Sequence, residues 1–157
     1  MKRLSFDEYF ISLAFVASLR SEDLKRKVGA ICANKQNQIV ATGYNGFAPG
    51  VCAQDVLTGD DTRRRQTIFH AEQNALLLCP RGSVHTLAVT VSCCSDCARL
   101  AANHGVKRVV FARKYPDTAG IDLLKFYGVE TVYTPLPDLT HLLKINDDEG
   151  QVAVPLA

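Results

Sequence analysis

The sequence predicts an α/β domain of three layers, helices covering both faces of a mixed five-stranded sheet. Three observations lead there. Strand-like and helix-like segments alternate along most of the chain, which is the pattern of a mixed or parallel sheet with helical crossovers. The 157 residues are one domain's worth, enough to bury a continuous core without staples. No internal repeat, low-complexity run or linker-like composition interrupts them, so residues 1–157 read as a single domain.

The elements follow in order. Ser5 or Asp7 caps a helix running to about Leu19, with Phe6, Phe10, Leu13, Ala14 and Ala17 at helical spacing on one side. Arg20 to Lys27 is a charged connection, a solvated loop unless one of its cations meets a substrate phosphate. Val28–Ala33 and Ile39–Gly43 are β-rich runs around the turn-forming Asn34–Gln38 and make a hairpin. Tyr44–Gly50 is dense in turn formers, and 51–67 is long, polar and irregular, the kind of loop that is usually functional or mobile. Arg63, Arg64 and Arg65 lie in it, as a solvated face or an anion site. Phe69–Cys79 is a second helix, stopped by Pro80 and Gly82. Val84–Val91 is a strand, and Cys94–His104 a helix closed by Gly105. Lys107–Ala112, Asp117–Tyr127 and Val129–Tyr133 read as strand, helix and strand. Leu139–Leu143 is a further short helix, and the tail from about 145 is expected to fray.

Composition narrows the function classes. A formal charge of +2 is too small to argue for nucleic acid as a partner. No apolar run approaches the roughly 20 residues of a membrane helix. The N-terminal Met1–Glu8 carries acidic residues where a signal peptide would be apolar, so a cytoplasmic protein is expected. Six cysteines in such a compartment favour reduced thiols and a metal site over disulfides.

Two short motifs carry chemistry. His70 and Glu72 stand two apart at the start of one predicted helix, and Cys94 and Cys97 form C-x-x-C at the start of the next. Imidazole and thiolates are zinc ligands, and three of them leave a tetrahedral position open. Glu72 diverges from His70 by about 200° around a helix and so does not share the ion, but it can carry protons beside it. Two helix N-termini aimed at one spot favour thiolate and other negative charge there. A structural zinc domain mediating protein contacts is the non-enzymatic alternative. It would want four ligands and has no use for Glu72.

On these motifs the chain resembles the zinc-dependent cytidine and deoxycytidylate deaminase superfamily, whose signature is H-x-E…P-C-x-x-C. Asp7–Phe10, Val28–Ala30, Gly43–Phe47, His70–Ala75 and Gly105–Lys107 extend the likeness toward its dCMP deaminase branch, in unbroken order from about Phe6 to Val129. One position departs: Cys93 stands where the family usually has proline, as a packed thiol or a competing ligand. The resemblance implies the cytidine-deaminase-like form of the three-layer fold. It also implies hydrolysis of dCMP to dUMP and ammonia, supplying dUMP for dTMP synthesis. In that chemistry a hydroxide on one zinc ion, held by His70, Cys94 and Cys97, attacks C4 while Glu72 shuttles the proton to N3 and to the leaving amine. Substrate contacts fall to Asn45 at the sugar or base edge, to Ala71, and to Arg20, Ser21, Lys114 and Tyr115 as phosphate candidates. Asn74 either orients the loop or touches the nucleotide.

Members of this group are often homo-oligomers, hexamers among them, regulated by dCTP and dTTP. By that likeness Gly43, Tyr44, Asn45 and Gly46 are a candidate effector site, with Mg2+ accompanying a triphosphate. His85, His104 and His141 are read as structural or exposed, and a second metal site at Cys52 and Cys79 is disfavoured because no histidine is nearby. Cytidine, a tRNA adenosine and 5-substituted dCMP are the alternative substrates. The near-neutral charge counts against tRNA.

Overall fold

The computed structural model describes residues 3–51, 53, 61–139, 144–146 and 151–153. The first helix, α1 (Phe6–Ser18), starts at a capping box: Ser5 Oγ accepts from Glu8 N–H at 3.2 Å, and Glu8 Oε2 accepts from Ser5 N–H at 2.7 Å. The hairpin follows as β1 (Gly29–Ala33) and β2 (Ile39–Tyr44). Helix α2 (Asp61–Thr67) lies inside the stretch expected to be irregular. Its seven residues are almost wholly polar, so no apolar period announces it. Then come α3 (Ala71–Leu76), β3 (Thr86–Val89), α4 (Ser95–His104), β4 (Arg108–Phe111), α5 (Ala119–Phe126) and β5 (Glu130–Tyr133). The expected short helix at 139–143 falls almost entirely outside the described residues. Beyond it, β6 (Lys144–Asn146) pairs antiparallel with β7 (Gln151–Ala153), where a frayed tail was expected.

The sheet is mixed and five-stranded, in the order β2-β1-β3-β4-β5. Strand β1 pairs antiparallel with both neighbours, whereas β3, β4 and β5 are parallel. One strand therefore runs against the other four, and the ends of β2, β3 and β4 open on the same edge as the start of β1. The alternation of side chains across a strand divides the core in two. Ile31, Ala33, Ala88 and Val110 turn to α1, where Phe10, Ile11 and Ala14 meet them. Ala30, Cys32, Leu87, Val89, Val109 and Phe111 turn to the layer of α3, α4 and α5. Each large apolar side chain so buried contributes about 1.5–3 kcal/mol.

Close backbone approaches fix the layers. A Cβ on Gly29 would lie 1.9 Å from the Ala14 carbonyl oxygen, so only glycine lets α1 sit on β1. A Cβ on Gly43 would lie 2.4 Å from the Ala71 oxygen, which seats the first turn of α3 on β2. Among the described residues, no helix is long and apolar enough to cross a membrane.

Candidate active site

Helix α3 is delivered to the open edge of the sheet by the turn after β2. Gly46 and Phe69 exchange backbone bonds of 3.1 and 2.8 Å, and Asn74 Nδ2 donates to the Tyr44 carbonyl at 2.8 Å. The helix starts two residues later than the sequence suggested, because His70 is extended (φ −78°, ψ 152°) and serves as its N-cap, and it ends at Leu76 rather than Cys79. Its backbone N–H donates to Gln73 Oε1 at 2.8 Å. Cys94 occupies the same position on α4, extended at φ −72°, ψ 173°. Gly105 ends α4 in the left-handed region at φ 91°, as the sequence predicted.

The two helix starts bring His70, Cys94 and Cys97 together, with one potential ligand atom from each lying within 4.8 Å of the others. His70 Nδ1 is 3.5 Å from Cys94 Sγ and 3.3 Å from Cys97 Sγ. Zinc bonds of about 2.0–2.1 Å to nitrogen and 2.3 Å to sulfur at a tetrahedral angle would separate those atoms by about 3.6 Å. The donor set therefore fits zinc in both chemistry and spacing. It is the only such group of three among the described residues, and Cys93 is outside it. Cys79 is half-buried and packed by the core, and Cys52 and His141 lie outside the described residues. His85 bonds Thr86 Oγ1 at 3.1 Å.

The electrostatics suit a cation. A hydrogen bond from Cys97 pushes the Cys94 thiol down to about 3, against the upward pull of burial, and His70 assists. Cys97 moves up in turn, because it donates to that thiolate and is buried. The Cys94 hydrogen bond draws the His70 imidazole upward. A metal ion would release these shared protons. Glu72 is only 4% exposed, and burial raises its carboxyl above the ordinary carboxylate range, partly offset by His70. A buried carboxyl with elevated proton affinity is a suitable acid/base group. Cys93 is fully buried beside it, and burial and the Glu72 charge hold its thiol protonated.

A cavity of about 310 Å3 opens from this cluster. His70, Ala71, Glu72 and Cys94 line it, and Lys25, Arg26, Asp61, Arg64 and Arg65 are also among its lining residues. Of the substrate contacts expected from the sequence, Asn45, Ala71 and Tyr115 are on the wall. Arg20, Ser21 and Lys114 are not among the lining residues. Arg20 instead borders a second cavity of about 180 Å3, together with Tyr44 and Gly46 of the candidate effector stretch. Asn45 has its carboxamide engaged in the framework. Its Oδ1 accepts from Val28 N–H at 2.7 Å, and its Nδ2 donates to Arg26 O at 2.8 Å and Asp23 Oδ2 at 3.0 Å. Tyr115 is held by its N–H donating to Ser92 Oγ at 2.8 Å, and Arg26 stacks on its ring at 4.9 Å from the centroid. Lys25, Arg26 and Arg64 belonged to charged runs whose solvated reading was the default. Asp23, Ser92 and Ile68 carried no signal of their own.

The comparisons with known proteins agree with this geometry. The family model for the cytidine and deoxycytidylate deaminase zinc-binding region matches residues 4–113. Deoxycytidylate deaminase of Mus musculus is 35% identical over 139 residues, covering 80% of this chain and 78% of the mouse protein. That of Mycobacterium phage D29 is 35% identical over 128 residues, 73% of this chain and 99% of the phage protein. The crystal structure of dCMP deaminase from the cyanophage S-TIM5 in complex with dCMP and dUMP superposes with a TM-score of 0.70 at 32% identity, covering 85% of this chain and all of that one. With the matched region spanning both ligand motifs, the chain belongs to the cytidine and deoxycytidylate deaminase family and is a zinc-binding deaminase.

Proposed function

We propose that the chain hydrolyses dCMP to dUMP and ammonia. The observation that carries the substrate is that one cavity is lined both by the reactive cluster and by cations. His70, Cys94 and Glu72 line it, and so do Lys25 and Arg26. A 5′-phosphate would engage Arg26, and Lys25 in competition with Asp61, through charge-assisted bonds that a nucleoside cannot make. The likeness to the dCMP-bound phage enzyme supports the same reading.

Zinc held by His70, Cys94 and Cys97 would supply Lewis-acid activation of the attacking water. Glu72 takes up a proton from that water and delivers it to N3 of the cytosine ring. Protonation in step with attack offsets the lost ring resonance. The same carboxylate then takes the proton of the new C4 hydroxyl and hands it to the amine, so that the C4–N bond breaks, the C4 carbonyl forms and ammonia leaves. Such transfers contribute about 10²–10⁴-fold in rate. Burial suits Glu72 to the task by raising its affinity for the proton it must take up and pass on. The Ala71 backbone and the Tyr115 ring border the nucleotide, and Asn45 shapes the wall through the bonds it already makes. Arg26, oriented by stacking on Tyr115, receives the phosphate with Lys25.

In this reading the protein is cytoplasmic and a homo-oligomer. The cavity beside Tyr44 and Gly46 is where a dCTP or dTTP effector with Mg2+ would act, and dUMP formed here would feed dTMP synthesis. The test is a rate comparison of zinc-loaded protein on dCMP, deoxycytidine, cytidine and 5-substituted dCMP, with and without dCTP or dTTP. A preference for dCMP over deoxycytidine of at least about tenfold is expected; equal rates would remove the phosphate from the proposal.

A further inference from the structure

Helix α2 contributes Asp61, Arg64 and Arg65 to the cavity wall, yet none of its residues is buried. The seven described residues of this helix are too few to persist without tertiary support. Something other than apolar packing must hold this wall in place.

Its ties are ionic. Arg65 and Arg64 reach Asp61 within the helix itself, at 2.7 and 3.5 Å, which attaches it to nothing. Lys25 meets Asp61 at 2.7 Å, but those side chains are 58% and 33% exposed and such pairs contribute little. The Arg64 tie is of another kind. Arg64 donates to both oxygens of Asp23, through Nε to Oδ1 at 3.0 Å and through Nη2 to Oδ2. Here the Asp23 side chain is 0% exposed and that of Arg64 only 14%. Asp23 is itself anchored: Lys25 N–H donates to Oδ1 at 2.9 Å, Asn45 Nδ2 to Oδ2 at 3.0 Å, and the Asp23 N–H donates to Ser21 Oγ at 3.2 Å. Asn45 in turn binds the start of β1 through Val28. The carboxylate is thus a fixed point of the sheet edge onto which the guanidinium fork closes.

We infer that the Asp23–Arg64 pair is a latch that holds α2 against the domain as a wall of the nucleotide cavity. Both are then positioning residues for substrate binding. The inference rests on reading that cavity as the nucleotide site. Bidentate geometry makes lysine a poor substitute for Arg64, since an ammonium cannot span both oxygens. Removing either partner leaves the other charge buried without its mate, which favours the open wall.

The experiment uses zinc-loaded full-length protein carrying Asp23→Asn, Arg64→Gln, Arg64→Lys or the first two combined. Opening of the wall should raise KM for dCMP by about 10- to 100-fold, as a misplacement near 1 Å does, with kcat within about threefold. Trypsin should cut after Arg63 or Arg65 faster in Asp23→Asn, which keeps every arginine. The double variant should be no worse than the worse single, and Arg64→Lys should recover only part of the loss. Loss of kcat at unchanged KM, unaltered trypsin sensitivity, or additive single effects would each overturn the latch. If Asp23→Asn does not fold, Arg64→Gln, whose partner keeps its other donors, decides the kinetics alone. Wild-type protein inactive on dCMP would sink the functional reading. The trypsin comparison needs no substrate and would still judge the latch.

Discussion

The backbone that carries Cys94 is pressed from behind by α5, and a single methyl group tests whether that pressure matters. Gly120, in the first turn of α5, has a conventional φ, so substitution there adds volume without backbone strain. A Cβ would stand 1.9 Å from the Cys93 oxygen and 2.8 and 2.9 Å from the carbonyl carbons of Cys93 and Cys94. Real Cβ contacts stay beyond 3.0 Å, and the atoms met are backbone that cannot swing aside. The Cys93–Cys94 segment or the helix must then retreat by about 1 Å, several times the roughly 0.2 Å tolerance of a metal–ligand distance. Gly120→Ala should therefore weaken zinc by about 10–100-fold, as disruption of ligand-supporting structure does. It should also lower kcat/KM at saturating zinc by about 10²-fold. Competition with a chromophoric chelator measures the first, and ammonia release from dCMP the second. Gly29→Ala is the matched control: its Cβ would also lie 1.9 Å from a carbonyl oxygen, that of Ala14, on the opposite face of the sheet. That variant should lose urea stability while its folded fraction binds zinc normally. Wild-type zinc affinity and turnover in Gly120→Ala would refute the clamp, because α5 would then yield without moving the ligand.

Three other outcomes are expected. Glu72→Gln should keep about one zinc per chain by elemental analysis and lose about 10²–10⁴-fold in kcat; undiminished turnover would exclude the proton shuttle. Cys94→Ser should strip the metal whereas Cys93→Pro should retain it, and the reverse pattern would overturn the ligand assignment. Although burial opposes it, Arg64 holds the Asp23 carboxyl below its ordinary 3.8. A lowered folded value means the pair stabilises fully above that pH and loses its contribution as pH falls through the folded value. Urea midpoints below pH 4 should fall less steeply in Asp23→Asn than in wild type.

What the sequence made legible was whatever depends on local period or short spacing. The three central strands, β1, β3 and β4, alternate between two cores, so Ile31 and Cys32 could be assigned to opposite faces in principle from order alone. The ligands were legible because each motif sits at a helix start, where capping geometry fixes direction. The cavity wall was not. Asp23 and Arg64 are joined across 41 positions, and each is embedded in a charged run that gives no reason to single it out. The family resemblance implies Asn45 as a nucleotide contact. Its amide also ties that turn to Val28, Arg26 and Asp23, a use no one-dimensional pattern encodes.

Cys93 shows how a family position can change residue and keep its geometry. A proline there would set φ in advance of α4 and stiffen the approach to Cys94. In its absence the constraint comes from packing. The Cys93 carbonyl lies under Gly120, where there is no room for even a Cβ, and the thiol is wholly buried beside Glu72. Directionality excludes that thiol from the ligand set. Cys94 caps α4 and Cys97 follows in its first turn, so both sulfurs converge on His70 Nδ1, whereas the preceding residue points its sulfur toward the carboxyl. Stiffness at the site is thus shared between two helices rather than written into one ring, which is why a methyl on α5 should be felt at zinc.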